Sequence, residues 1–217
     1  MVPGRSHYCA AYVRGGRAYA FAHQIDATLS FEPTSVLEVG AGVGAVTSTL
    51  RSVGVSVTTV DVQPDLDPDV VASVVELPFD DSAFDIAICC QVLEHLPFRE
   101  FHRAISELFR VVRHGLVLSL PDISRPIEVS CRLPFIGRKS LQMSLRKRMS
   151  DLDQAKRLRE MGHHWEIGYP GSRLRDCMRE IQKLQPVHCQ SWRVPELPWH
   201  RFFRIAKSTL PRDAPDK

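Results

Sequence analysis

The chain has 217 residues, 44% hydrophobic and 24% charged, with a formal net charge of +3. That size and balance fit one domain, 1–217, with a substantial core and room for a small insertion. No apolar run is long enough to span a bilayer, the charge is too small to mark a nucleic-acid protein by itself, and none of the six cysteines forms a CxxC pair, so a zinc site is not indicated.

Residues 6–29 read as helical, with Gly15-Gly16 as a break or kink, which makes 1–33 an N-terminal helical segment. Arg14, Arg17 and His23 interrupt any apolar stretch of signal-peptide type, so a cytoplasmic protein with reduced thiols is expected. A strand is expected over 36–39, then a helix over 45–53 that Gly54 ends. The β-branched stretch 55–62 predicts a second strand, and a short one follows at 70–71. The continuous apolar run "FDIAICC", 84–90, suits a central parallel strand covered on both faces. Phe101, Ile105, Leu108 and Val112 recur at helical spacing, which predicts a helix over 98–112. "GLVLSL" is the next buried strand and ends at Pro121-Asp122.

The pattern changes at residue 123. The stretch 123–171 is mixed, basic and partly helical, and reads as an insertion or lid. From Ser124 to Arg159 ten basic residues stand against three acidic ones, net +7. Leu141, Leu145 and Met149 share one stripe if that part is helical. A helix over 172–184 with Ser172 as its N-cap follows, then two strands, "VHCQSWRV" and "RFFRIAK", expected to pair as an antiparallel hairpin. Strands alternating with helices imply an α/β fold with a parallel, doubly wound sheet.

The stretch "VLEVGAGVGAVT", 36–47, places glycines at 40, 42 and 44 directly after a buried strand. Such a loop lets backbone approach a ligand closely, and the helix behind it offers free N–H groups and a positive dipole end. Gly40, Gly42 and Ala45 also satisfy G-x-G-x-x-G/A, and Asp61 ends the second strand where a ribose-binding acid belongs, so a nicotinamide dinucleotide stays open on these residues alone.

Three features in order carry a resemblance: Glu38 two residues before Gly40, "VELPFDDSAFD" at 75–85, and "QVLEHL" at 91–96. Together they resemble the class I S-adenosylmethionine-dependent methyltransferases, in particular the small type 11 domains, over roughly 34–122. The resemblance implies a Rossmann-like, seven-stranded, mostly parallel sheet with an antiparallel C-terminal hairpin. It implies that the Gly40–Gly42–Gly44 loop passes along the methionine part of S-adenosyl-L-methionine while Glu38 organises that loop. Asp61 then accepts from both ribose hydroxyls, Val62 packs on adenine, and Cys90 and Gln91 lie beneath the methionine arm. The family usually places an acid four residues before the leucine of "LPF"; here that position is Ser73, whose hydroxyl or the Val74 backbone must serve instead.

Methyl transfer to oxygen also needs a proton removed. "MGHHWEIGYPG", 161–171, offers His163 and His164 as bases, or is simply a capping turn anchored by Trp165. Asp122 at a strand tip is another candidate base and, with a lid histidine, could hold a divalent ion, although nothing in the sequence requires a metal. His95 is either catalytic or half of a polar pair with Glu94 at a helix start. The expected activity is methyl transfer to a small molecule or glycan, on oxygen in preference to nitrogen. The basic insertion also suits a phosphorylated or lipid-linked acceptor. Alternatives are an RNA or protein methyltransferase, a non-catalytic cofactor-binding protein, and a nicotinamide-dependent oxidoreductase.

Overall fold

The computed structural model describes residues 12–133, 137–145 and 151–207, with side chains outside 125–151. In chain order the strands are β1 Ser35–Val39, β2 Ser56–Asp61, β3 Val70–Val71, β4 Phe84–Cys90, β5 Val112–Pro121, β6 Arg125–Leu133, β7 Gly137–Leu145, β8 His188–Val194 and β9 Leu197–Ala206. The helices are α1 Gly16–Leu29, α2 Ala45–Ser52, α3 Phe101–Arg110, α4 Asp151–Met161 and α5 Leu174–Gln182. Seven strands form one sheet in the order β3-β2-β1-β4-β5-β9-β8. The pairings from β3 through β5 are parallel, and β9 runs antiparallel to both β5 and β8. This is the doubly wound, Rossmann-like sheet with an antiparallel C-terminal hairpin that the sequence predicts.

Alternation along the strands explains the layers. Val36 of β1 and Ile86 and Ile88 of β4 point into a core shared with Ala27 of α1 and Val46 and Leu50 of α2. Leu37, Val39, Ala87 and Cys89 point the other way, against Phe101, Ile105 and Leu108 of α3 and Cys177 and Ile181 of α5. The α3 residues recur at i, i+4 and i+7, so one stripe of the helix meets the sheet. Each such fully buried side chain contributes about 1.5–3 kcal/mol relative to exposure. Asp85 ties the layer below β1 together. Its carboxylate accepts from the amides of Thr34 at 2.8 Å and Ser35 at 3.0 Å, from the Thr34 hydroxyl at 2.8 Å, and from Arg113 at 2.7 Å.

Several local expectations are corrected. The N-terminal helix begins only at Gly16, with Gly15 at φ +62° as its N-cap, so the glycine pair breaks the helical stretch as expected and residues 12–15 are not helical; residues 6–11 lie outside the described residues. The helix expected over 98–112 is a 3-10 turn, Phe98–Glu100, followed by α3; Val112 already opens β5. Arg173, not Ser172, is the N-cap of α5, with its amide donating to the Asp176 carboxylate at 2.9 Å. Within 123–171 the stretch whose leucines share a helical stripe forms part of the β6–β7 hairpin, a separate two-stranded sheet, and among the described residues of that segment α4 alone is helical. Leu141 and Leu145 therefore lie on a strand, and Met149 lies outside the described residues. Cys89, Cys90, Cys177 and Cys189 are free thiols. No helix among the described residues is long and apolar enough to cross a membrane.

Candidate active site

The order in which successive strands are added reverses between β1 and β4, and ligands of open α/β sheets bind outside the strand tips at such a point. A cavity of about 400 Å³ opens there. One end is lined by Glu38, Gly40, Ala41, Gly42, Asp61, Val62, Ser73 and Val74. The backbone of the glycine loop lies against the tip of β4: a Cβ on Gly40, whose φ is +77°, would sit 2.3 Å from Val92 Cγ2. The Gly40 amide donates to Val60 O at 2.8 Å, which pins the loop to β2.

Two acids flank this loop. Glu38 is 3% exposed, and its Oε2 accepts from the Thr47 hydroxyl on α2. Burial pushes its carboxyl up to about 7, against the Thr47 hydrogen bond and the Arg51 charge. Asp61 ends β2 with one carboxylate oxygen accepting the Gln63 amide at 2.9 Å. Burial raises it as well, opposed by the Gln63 and Val62 amides. Beyond Asp61 the Val62 side chain remains 48% exposed, an apolar face directed at the opening. At the floor, Gln91 follows β4 with φ +58°; its amide donates to Ser119 O at 2.9 Å and its Nε2 to the Ser119 hydroxyl at 3.2 Å. Burial pushes the neighbouring Cys90 thiol up to about 12, so it stays protonated.

The far end is polar and drawn from separate segments: Glu94 and His95 after β4, Arg157 and Met161 on α4, His163 and Glu166 after it, and His200 on β9. The segment after α4 is moored by backbone and tryptophan. The Ile167 amide donates to Pro121 O at 2.8 Å, the Ile123 amide to Ile167 O at 3.0 Å, and Trp165 Nε1 to Leu96 O at 3.0 Å. Trp165 packs edge-on against Phe98 and Phe101. Glu94 is fully buried, and neither carboxylate oxygen meets a partner from another residue. Burial pushes its carboxyl up to about 8, with the Glu166 charge adding to the effect. His163 Nδ1 lies 2.8 Å from Glu166 Oε1, and His95 Nδ1 lies 2.9 Å from Gly162 O. The two imidazoles meet edge to face at 5.0 Å. Burial depresses His95, and it holds His200 down at about 4, so both rings favour the neutral form.

The structure thus gathers Glu38, Gly40, Gly42, Asp61, Val62, Ser73, Val74, Cys90, Gln91, His95 and His163 around one cavity. It does not bring Gly44, Asp122 or His164 to that wall. Gly44 is the left-handed N-cap of α2. His164 is exposed, and its amide donates to Glu94 O at 2.8 Å. Asp122 is 1% exposed and saturated: it accepts from Arg193 at 2.5 Å, from Arg201 at 2.7 Å, and from the Ser124 amide and hydroxyl. With both oxygens committed to guanidiniums and Ser124, it is a structural anchor and not a base or a metal ligand. Sequence reasoning passed over Glu94, Glu166, Arg157 and His200. Glu94 had a signal in its place beside His95, and Glu166 in its spacing of three from His163; Arg157 and His200 had none.

Residues 37–120 match the family model of a methyltransferase domain. No curated protein matches the chain by sequence. Among solved structures, the chain is similar to the N-methyltransferase NodS from Bradyrhizobium japonicum WM9 in complex with S-adenosyl-L-homocysteine, at 13% identity and a TM-score of 0.59, covering 89% of this chain and 88% of that one. It is similar to magnesium protoporphyrin IX methyltransferase from Synechocystis PCC 6803 with the same ligand, at 15% identity and a TM-score of 0.55, over 88% and 84% of the two chains. A third is 1,6-didemethyltoxoflavin-N1-methyltransferase from Burkholderia thailandensis, at 19% identity and a TM-score of 0.51, over 94% and 87%.

Proposed function

We propose that the chain is a class I S-adenosylmethionine-dependent methyltransferase, a reading supported by the methyltransferase-domain match at residues 37–120, and that it methylates a hydroxyl oxygen of a small molecule or glycan. When bound, the cofactor supplies a methyl carbon on a sulfonium whose leaving group is a neutral thioether. The residues at the glycine end fit such a group. The Gly40 position is a cradle that a Cβ would fill, and the carboxyl groups of Glu38 and Asp61 on the same wall suit a ligand that carries positive charge and a vicinal diol. In this reading Asp61 accepts from the ribose hydroxyls, Val62 covers adenine, Ser73 and Val74 edge it, and Glu38, Gly40, Gly42 and Gln91 line the methionine arm.

The observation that carries the acceptor assignment is the polar far end of the same cavity, where the imidazoles of His95 and His163 stand beside the buried carboxyl of Glu94. An amine acceptor needs little more than desolvation, whereas a hydroxyl needs its proton managed near neutral pH. His95, His163 and Glu94 provide that management, and the segment 123–171 acts as the lid that excludes water through α4 and residues 163–166. Arg17 and Arg157 on the wall suit an acceptor that is itself anionic.

A donor-consumption screen across sugars, phenols, lipid-linked sugars and amines tests this reading. S-adenosylhomocysteine should accumulate with hydroxyl-bearing acceptors. Turnover confined to amines would sink the oxygen assignment.

A further inference from the structure

We infer that Glu94, His95 and His163 form a binding site for a borderline divalent cation of the zinc and cobalt kind, open on its cavity side to an oxygen of the acceptor. One carboxylate oxygen and one ring nitrogen from each histidine all lie within 4.8 Å of one another, so a small closure brings them round one ion. The carboxylate is the unusual member. It is fully shielded from water, and no donor from another residue reaches either oxygen. The nearby Arg157 is directed at Glu166, at 3.4 Å. An acid taken out of water is protonated, paired with a counter-charge or bound to a metal, and no cation among the described residues pairs with this one.

The histidines are prepared for the same task. Gly162 O can only accept, so His95 Nδ1 carries the proton that meets it, which leaves the Nε2 lone pair unprotonated in the neutral ring. His163 Nδ1 donates to Glu166 Oε1, with the same consequence for its Nε2. A ligating imidazole whose other nitrogen donates to a carboxylate or a carbonyl is the usual outer arrangement of a protein metal site. Two imidazoles and one carboxylate suit zinc, cobalt, iron or manganese better than calcium or magnesium, and three protein ligands leave positions for exogenous oxygen. That last role rests on the oxygen-acceptor reading: an ion there lowers the pKa of a hydroxyl it binds and fixes its direction.

The test uses the tag-free full chain, stripped with a chelator and titrated with Co²⁺ while its visible spectrum is recorded, with a Zn²⁺ competition to follow. One equivalent of Co²⁺ should produce ligand-field bands that Zn²⁺ abolishes. His163→Ala should lose the bands. Glu94→Gln should weaken Co²⁺ at least tenfold, and Glu166→Gln, which only positions the His163 ring, by about 10–100-fold. S-adenosylhomocysteine should still raise the melting temperature of every variant, which shows that each is folded. Absence of bands at one equivalent, or bands of equal affinity in Glu94→Gln and His163→Ala, overturns the site. Failure of the wild type to respond to S-adenosylhomocysteine while the Co²⁺ bands appear would instead count against the cofactor assignment and leave the metal site standing.

Discussion

Single residues decide whether the cavity accepts the proposed nucleotide. Asp61→Ala removes a charge-assisted pair of hydrogen bonds of about 1.5–3 kcal/mol, so calorimetry with S-adenosylhomocysteine should show affinity lowered at least tenfold; unchanged affinity removes the ribose contact. Gly40→Ala forces a Cβ to 2.3 Å from Val92 Cγ2 at a positive φ. It should cost roughly 2 kcal/mol or more by overpacking, read as a lowered denaturation midpoint. Val92→Ala in the same chain should restore part of that loss, because the two side chains compete for one space. The glycine end was legible in the sequence because its residues are neighbours there: 38 to 43 at the end of β1 and the loop after it, 61 and 62 at one strand tip, 73 and 74 in one turn. The polar end was not, because Glu94, Glu166 and His200 come together only when three distant segments fold over the strand tips.

At the scale of elements, Asp85 binds β4 to the start of β1 and to Arg113 on β5. Burial pushes its carboxyl up, but the hydroxyl and amide of Thr34, the Ser35 amide and Arg113 outweigh that and hold it well below the usual carboxylate range. A depressed acid contributes stability that is present above the unfolded value near ~4 and is lost as pH falls below it. Urea midpoints measured from pH 6 to pH 3 should fall more steeply for the wild type than for Asp85→Asn, with the variant weaker at neutral pH; parallel curves would deny the linkage. Elements whose period is unambiguous, such as β4 and α2, could be read directly from the residues. The β6–β7 hairpin could not, for a specific reason. Leu141 and Leu145 are four apart, which fits a helix turn, yet Met143 between them completes an alternation of period two. The same two leucines satisfy both patterns, and pairing with β6 decides between them.

For the molecule as a whole, one buried ion cluster ties the C-terminal hairpin to the tip of β5, next to the segment that lines the cavity. Asp122 at the tip of β5 holds Arg193 of β8 and Arg201 of β9, while Ile123 and Pro121 on either side of it bond the segment that carries His163. Asp122→Ala leaves Arg193, 5% exposed, without its counter-charge. A broken buried pair costs about 3–5 kcal/mol, so urea denaturation should show a loss of that order together with faster exchange of the Ile167 amide; retention of both would leave Asp122 without its anchoring role.

Gln91 sets a further condition on how this crevice behaves. A side-chain-bearing residue in the left-handed region costs on the order of 1–3 kcal/mol, and its two hydrogen bonds to Ser119 hold it there. The floor therefore carries a torsional load that the neighbouring strand bears. An arriving guest need not bend that part of the wall, and the tension in it is released only if β4 and β5 part.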